Sequence, residues 1–252
     1  MIIPRSHPRY KSLKTRENLV MGSKFGIVVP EGLIAHGRGE AFDYILGEKT
    51  RPAAHRAIRA AAALLLMGKN PIISVNGNTA ALVPAGLVKL ATTISGNLEV
   101  NLFHRGIDRE RKISRVLRRT GAREVLGVGP ASSARIPGLK SDRRKVDPSG
   151  IAKADVILVP LEDGDRATFL RRMGKKVIAI DLNPLSRTSQ SAYVTIVDNV
   201  TRAVPLLSIE VKRLKGRSPS ELSKIIREFD NKKNLAMTIQ EIKNYLDRWN
   251  GI

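Results

Sequence analysis

Six short apolar runs along the middle of the chain limit what it can fold into: Pro71–Val75, Leu98–Leu102, Glu124–Val128, Asp155–Val159, Lys176–Ile180 and Tyr193–Val197. Most are rich in Val and Ile and almost unbroken by polar residues, the pattern of strands buried on both faces. Helical patterns separate several of them, at Thr79–Ser95, Arg105–Thr120 and Asp165–Met173. Strand, helix and strand at this spacing imply right-handed crossovers and a parallel sheet. The expected fold class is therefore α/β, a Rossmann-like doubly wound parallel sheet of about six strands. Helical patterns extend it at both ends. They lie near Pro8–Met21, Gly39–Leu46 and Arg51–Met67 before the sheet, and near Thr201–Lys215, Ser218–Asp230 and Thr238–Trp249 after it. Ser218-Pro219-Ser220-Glu221 is a strong helix start, with a serine cap, proline in the first position and an acid soon after. We read residues 1–252 as a single domain: a helical segment 1–69, a Rossmann-like core 70–200 and C-terminal helices 201–252. The basic stretch Ser141–Asp147 reads as a mobile loop.

Composition narrows the function classes. No apolar run reaches the roughly eighteen residues of a membrane helix, and the N-terminus lacks a hydrophobic signal region. There are no cysteines, which removes disulfides, thiolate metal sites and cysteine nucleophiles. A cytoplasmic location is the default expectation. The net charge of +21 first suggests nucleic acid. The excess, however, is spread over all three parts of the chain rather than gathered in a tail. Aromatic residues make up only 4 %, too few for a base-stacking platform. A basic enzyme acting on polyanionic small molecules accounts for the charge equally well.

Ligands of open α/β sheets sit outside the carboxyl ends of the strands, so the residues after each run carry the chemical information. The first run leads into Asn76-Gly77-Asn78-Thr79 and directly into a helix. Gly77 permits close approach of a ligand, and free amides at a helix start attract an anion. The same residues also read as a plain turn capped by Asn78 or Thr79. After the second run, Asn101 and Arg105 stand at the strand's end. Arg105 suits a phosphate or carboxylate, although it also fits the basic helix that follows. Glu162, Asp163 and Asp165 either hold Mg²⁺ or form an acidic first helical turn. At the fifth run, Asp181 has the place of an acid that accepts from ribose hydroxyls, with Leu182 and Asn183 beside it. Arg187 and Thr188 add donors of the phosphate-binding type. Asp198 and Asn199 precede Val200 and cap the next helix. In the N-terminal segment, glycines flank Arg38 close to His36, Glu40 and Asp43. This stretch reads as a loop leading to a helix, one dense enough in charge to be functional. The chain lacks G-x-x-x-x-G-K-[ST], G-x-G-x-x-G after a strand, H-E-x-x-H and G-x-S-x-G. Any use of ATP therefore proceeds without the common motifs.

Several longer blocks are distinctive together: GLIAHGRGEAFDY from Gly32, SVNGN from Ser74, PLEDGDR from Pro160 and DLNPLSRT from Asp181. With them the chain, from about residue 3 to about residue 210, resembles the archaeal phosphopantothenate synthetase (4-phosphopantoate–β-alanine ligase) family. The resemblance implies a Rossmann-like homodimer of coenzyme A biosynthesis that uses ATP and Mg²⁺. It would join 4-phosphopantoate to β-alanine through an acyl-adenylate, releasing AMP and pyrophosphate. It implies a nucleotide site of Arg16, Arg38, Asp181, Leu182, Asn183, Arg187, Thr188, Asn199 and Val200. Set beside our own reading of the residues, Arg38 and Arg187 are candidates for stabilising charge on the α-phosphate, and His36 is the candidate base. Asn76, Gly77, Asn78, Asn101 and Arg105 are candidates for 4-phosphopantoate, and Asp163 and Asp165 for the metal. The alternatives are a basic nucleic-acid-binding protein or another Rossmann-type nucleotide-binding protein.

Overall fold

A computed structural model describes residues 3–7, 9–161 and 164–249. Five parallel strands form the central sheet: β1 (Pro71–Val75), β2 (Asn97–Val100), β5 (Val156–Pro160), β6 (Lys176–Ile180) and β7 (Val194–Ile196). Two short strands, β3 (Ala134–Arg135) and β4 (Lys145–Val146), pair antiparallel as a separate ribbon. The sheet order is β2-β1-β5-β6-β7. Taking the parallel strands in chain order, this is 2-1-3-4-5, the flavodoxin-like version of a doubly wound sheet. The chain leaves β1 for one neighbour and returns from β2 to the other, so the strand order reverses between β1 and β5. That is the place where such sheets open a crevice.

The near-continuous hydrophobicity of the strands is explained by burial on both faces. Ile73, Val75, Leu98, Val100, Leu158, Ile178 and Ile180 turn to one core, under α3 (Pro52–Met67), α5 (Pro84–Thr93) and α9 (Val200–Leu214). Their alternating neighbours Ile72, Ile157, Val159, Val177 and Ala179 turn to the other, under α7 (Gly164–Arg172). Seven alanines of α3 are buried. Side chains this small let α3 lie against α9, β7 and α10 (Pro219–Arg227) at once. The Ser218 cap forms as its sequence indicates. Ser218 Oγ accepts from Glu221 N, and the Glu221 carboxylate accepts from Ser218 N at 2.9 Å.

Several sequence expectations need correction. Glu124–Val128 does not form a sixth strand. It makes a single bridge beside β2, with Leu126 N donating to Leu98 O at 2.8 Å and Leu126 O accepting from Val100 N at 2.9 Å. Gly127, at φ +77°, then turns the backbone away. The helix expected over Thr79–Ser95 is two helices, α4 (Gly77–Leu82) and α5, because Pro84 has no N–H to continue the first. The stretch around Arg38 is not a loop: α2 runs Pro30–Ile45 with proline in its first turn. Ser141–Asp147 is built into the fold through a 3₁₀ turn and β4, and its Arg143 and Asp147 are buried. The first helix, α1, runs Tyr10–Lys24, and the last, α11, Asn231–Asp247; Pro8 lies outside the described residues.

Candidate functional site

A cavity of about 690 Å³ opens at the carboxyl ends of β1, β5 and β6, at the reversal of strand order. Four segments build it, and each is placed by a local reason.

The turn after β1 contributes Asn76, Gly77 and Asn78. Asn76, not Asn78 or Thr79, caps α4. Its Oδ1 accepts from Thr79 N at 3.0 Å, while Asn76 N donates to Thr79 Oγ1 at 3.0 Å. Asn76 Nδ2 donates to Pro160 O and Leu161 O at 2.9 and 3.1 Å, locking the end of β1 to the end of β5. Leu161 occupies the left-handed region at φ +54°, a strained position for a branched side chain, and it lines the cavity. Gly77 is required by close approach, but within the chain itself: a Cβ there would collide with the carbonyl oxygen of Ile27.

The segment after β6 contributes Asp181, Leu182, Asn183, Ser186, Arg187 and Thr188. Asp181 shapes the turn. Its Oδ1 accepts from Asn183 N at 3.0 Å and its Oδ2 from Ser186 Oγ at 2.5 Å. Burial pushes the Asp181 carboxyl above its ordinary range, against the pull of Ser186, Asn183 and the Arg38 charge. Ser186 then caps the short α8 (Arg187–Ser191). Arg187 projects to solvent and pairs with Asp165 at 3.0 Å.

Helix α2 closes a third side with Gly32, His36, Arg38, Gly39 and Phe42 among others. It is held by polar ties more than by packing, since Asp43 is its only buried residue. Asn78 Nδ2 donates to Gly32 O at 2.8 Å near one end. At the other end Asp43 accepts from Arg202 at 2.5 and 3.1 Å and from Asn199 Nδ2 at 2.9 Å. Burial holds the His36 imidazole below its usual range, and its Nε2 is buried with no hydrogen-bond partner among the described residues. Phe103, His104, Arg109 and Arg143 form the fourth side.

The cavity thus brings together Arg38, His36, Asp181, Leu182, Asn183, Arg187, Thr188, Asn76, Gly77 and Asn78. Other residues singled out in the sequence stand elsewhere. Arg16 pairs with Glu40 at 3.2 Å and Tyr44 at 3.1 Å. Asn199 caps α9 and holds Asp43, with Val200 buried behind it. Asn101 is fully buried and donates to Arg143 O and Lys145 O at 3.2 and 3.0 Å. Arg105 donates to Lys145 O and Gly127 O, both at 2.8 Å, and pairs with buried Glu110. Asn101 and Arg105 therefore tie the basic stretch to the sheet edge instead of facing the cavity. Asp163 lies outside the described residues. Arg109 and Arg143 carry no signal in the sequence that marks them for the site. The first reads as one more arginine of a basic helix, the second as part of a charged loop.

Residues 53–245 match the family model for phosphopantothenate/pantothenate synthetase. The chain is 51 % identical over 247 residues to the 4-phosphopantoate–β-alanine ligase of Thermococcus onnurineus, covering 98 % of this chain and 94 % of that one. It is 51 % identical over 244 residues to the enzyme of that name from Methanosarcina mazei, covering 97 % and 95 %. Against the one from Methanospirillum hungatei it is 56 % identical over 203 residues, covering 81 % and 82 %.

Proposed function

Since the chain belongs to the phosphopantothenate/pantothenate synthetase family, we propose that it is an ATP-dependent ligase of coenzyme A biosynthesis that condenses 4-phosphopantoate with β-alanine. The observation that carries this reading is the cavity itself: one crevice lined by an acid-and-serine turn at Asp181–Thr188 and by arginines on three of its sides.

A carboxylate is a poor electrophile, so amide formation requires a better leaving group. In the proposed reaction an oxygen of the 4-phosphopantoate carboxylate attacks the α-phosphorus of ATP, and the bond to pyrophosphate breaks. The amine of β-alanine then attacks the acyl carbon and AMP leaves. Asp181 and Asn183 are assigned to the ribose end, and Arg187 and Thr188 to the phosphates. Arg38, on α2, faces the Asp181 side and supplies charge where it develops on the α-phosphate. His36 is the base, because its imidazole is held neutral and its Nε2 has no hydrogen-bond partner among the described residues. Arg16 and Asn199 keep their place in the nucleotide site as supports of α2, through Glu40 and Asp43.

Mg²⁺ belongs to the reading as the partner of the triphosphate. Such an ion takes one or two carboxylates, with phosphate oxygens and water completing its shell. Among the described residues no group of three His, Asp or Glu could hold a metal. We assign the ion to Asp165, which pairs with Arg187 at 3.0 Å; the ion would supply charge neutralisation at the pyrophosphate. The proposal extends to a homodimer working in the cytoplasm. No helix among the described residues is long and apolar enough to cross a membrane.

The test is direct. Purified protein with ATP, Mg²⁺, 4-phosphopantoate and β-alanine should yield AMP and phosphopantothenate. ADP in place of AMP would replace the adenylate by an acyl-phosphate route, and no amide product would sink the reading. Arg38→Ala should lower kcat/KM for ATP by about 100-fold, the scale of one lost charge-stabilising group, and Asp181→Ala should weaken ATP binding through the lost ribose contact. Unchanged turnover in His36→Ala would remove its role as base.

A further inference from the structure

Helix α6 (Ile107–Arg119) carries six cations against two acids, and both acids already have partners. Glu110 is buried against Arg105, and Asp108 pairs with Lys112 at 2.7 Å. Arg109 turns toward the cavity, its Nε donating to Ile27 O at 2.8 Å. The other four arginines, Arg111, Arg115, Arg118 and Arg119, are exposed. With Ser114 and Val128 they line a separate groove of about 530 Å³. Steps of four, three and four residues from Arg111 put them on one side of the helix. None of the four has an ion pair among the described residues. Arg118 donates only to a neutral carbonyl, Arg123 O, at 3.0 Å.

Other exposed helices are arranged differently. Lys14 with Glu17, Arg213 with Glu210, Arg217 with Glu221 and Lys224 with Glu228 each set a cation beside an acid three or four residues away. Like charges at that spacing, as at Arg111 and Arg115, oppose helix formation. The helix dipole favours Arg118 and Arg119 in the last turn, but it does nothing for Arg111 and Arg115. A field of one sign, kept at a local cost in helix stability, suits a polyanionic partner.

The chemistry of the face chooses among polyanions. All four cations are arginine, whose planar fork matches phosphate oxygens. Between Asp108 and Arg119 no large apolar side chain is exposed, whereas seating on a membrane or in the core of a protein interface draws on such side chains. The eight residues from Arg111 to Arg119 rise about 12 Å, the axial length of three or four phosphates on one strand of a duplex. No aromatic residue lines the groove, so nothing there stacks on bases. We propose that this face of α6 docks double-stranded nucleic acid through its backbone phosphates, without sequence preference. The surface is independent of the ligase reading, because none of its four arginines lines the cavity.

The experiment follows a fluorescent duplex of about 20 base pairs by anisotropy between about 50 and 300 mM salt. The full wild-type chain should bind with a Kd in the range of about 10⁻⁴–10⁻⁶ M, the scale of phosphate-only contacts. A triple variant, Arg111→Gln with Arg115→Gln and Arg119→Gln, should bind at least about 10-fold more weakly at low salt, and the slope of log K against log salt should flatten by about 2.7. A control, Lys232→Gln with Lys233→Gln and Lys243→Gln, removes the same charge from the exposed side of α11 and should stay within about twofold of wild type. Lysine at the three α6 positions should restore the slope, since a point charge also releases a counterion. Urea unfolding should show the α6 triple variant at least as stable as wild type. If it is not, Arg115→Gln alone decides, with a slope flatter by about 0.9. Saturating ATP should leave duplex affinity unchanged. Equal losses in the α6 and α11 variants would overturn the proposal and trace binding to net charge alone. No duplex binding at low salt, displacement of the duplex by ATP, or capture of phosphatidylserine vesicles by this face in preference to duplex would overturn it as well.

Discussion

Glu99 is a carboxylate buried in β2 with its charge held against a low-dielectric interior. Its Oε1 accepts from Asp147 N at 3.0 Å and its Oε2 from Ile151 N at 2.5 Å. Gly150 has no side chain because a Cβ there would run into Oε2. Burial outweighs these amides and the nearby Arg166 charge, and the carboxyl is pushed up to about 7. A folded-state value above the unfolded one means that the folded chain binds the extra proton between them. The associated stability is complete below about pH 4.5 and is lost as pH rises through 7. The loss is on the order of 3 kcal/mol, because each tenfold change in proton affinity is worth about 1.4 kcal/mol. Urea unfolding from about pH 5 to 8 should therefore show wild type weakening relative to Glu99→Gln by roughly that amount, and parallel curves would refute the assignment. Glu99 shows how little of the site's frame could be read residue by residue. In the sequence it is one more acid at the start of an apolar run. Arg109 and Arg143 are hidden in the same way, because a guanidinium turned into a cavity and one turned into water look identical until distant carbonyls fix the plane. Asp181 and Asn76 were legible because strand ends are predictable and ligands gather there; Arg38, on α2, was marked instead by its flanking glycines and by the resemblance.

At the level of elements, α2 carries the most chemistry and is the least embedded. Its one buried side chain, Asp43, meets Arg202, which also pairs with buried Asp198; Thr50 Oγ1 donates to Asp198 at 2.7 Å. Removing one partner of a buried pair leaves the other charge unmatched, at a cost of about 3–5 kcal/mol. Arg202→Met should lower stability by an amount near the bottom of that range, because Arg202 remains partly exposed. It should raise the KM for ATP more than it lowers kcat, since it displaces the wall that carries Arg38 rather than a reacting group. Equal stability of the variant in urea, or a fall in kcat alone, would count against α2 being tied this way. The same helix offers an opposite test. A Cβ on Gly37 would meet nothing within 4 Å, so Gly37→Ala should stabilise α2 by about 0.4–1 kcal/mol. The five sheet strands were readable because burial on both faces leaves a continuous apolar run. Glu124–Val128 satisfied the same pattern and failed, since one edge bridge and a left-handed glycine suffice to satisfy it without a ladder. The early start of α2 was missed because Gly32, Gly37 and Gly39 argue locally for a loop, and only the tertiary ties at Asn78 and Arg202 overrule them.

For the molecule as a whole, the cavity joins two parts of the structure, the rim of the sheet and helix α2. A ligand that touches Arg38 on one and Asp181 on the other closes that seam, and binding only to the folded chain adds stability as RT ln(1 + [L]/Kd). ATP at about 100 times its Kd should add about 2.7 kcal/mol, and the increment should vanish in Asp181→Ala. The net charge of +21 sets the salt dependence. Self-repulsion among surface charges is screened by added salt, so the unliganded protein should grow more stable between low and moderate ionic strength. Attraction to a polyanionic nucleotide weakens over the same range, and the gain from ATP should shrink. A nucleic-acid-binding protein would behave differently: duplex affinity would fall as a steep power of salt concentration, with a slope of about −0.9 per phosphate contacted. Because the basic excess is spread over the chain, we expect weak duplex binding with no dependence on Arg38, Arg109 or Asp181. Competition between duplex and ATP for one site, measured by fluorescence anisotropy at fixed salt, would contradict this and assign the crevice to nucleic acid instead.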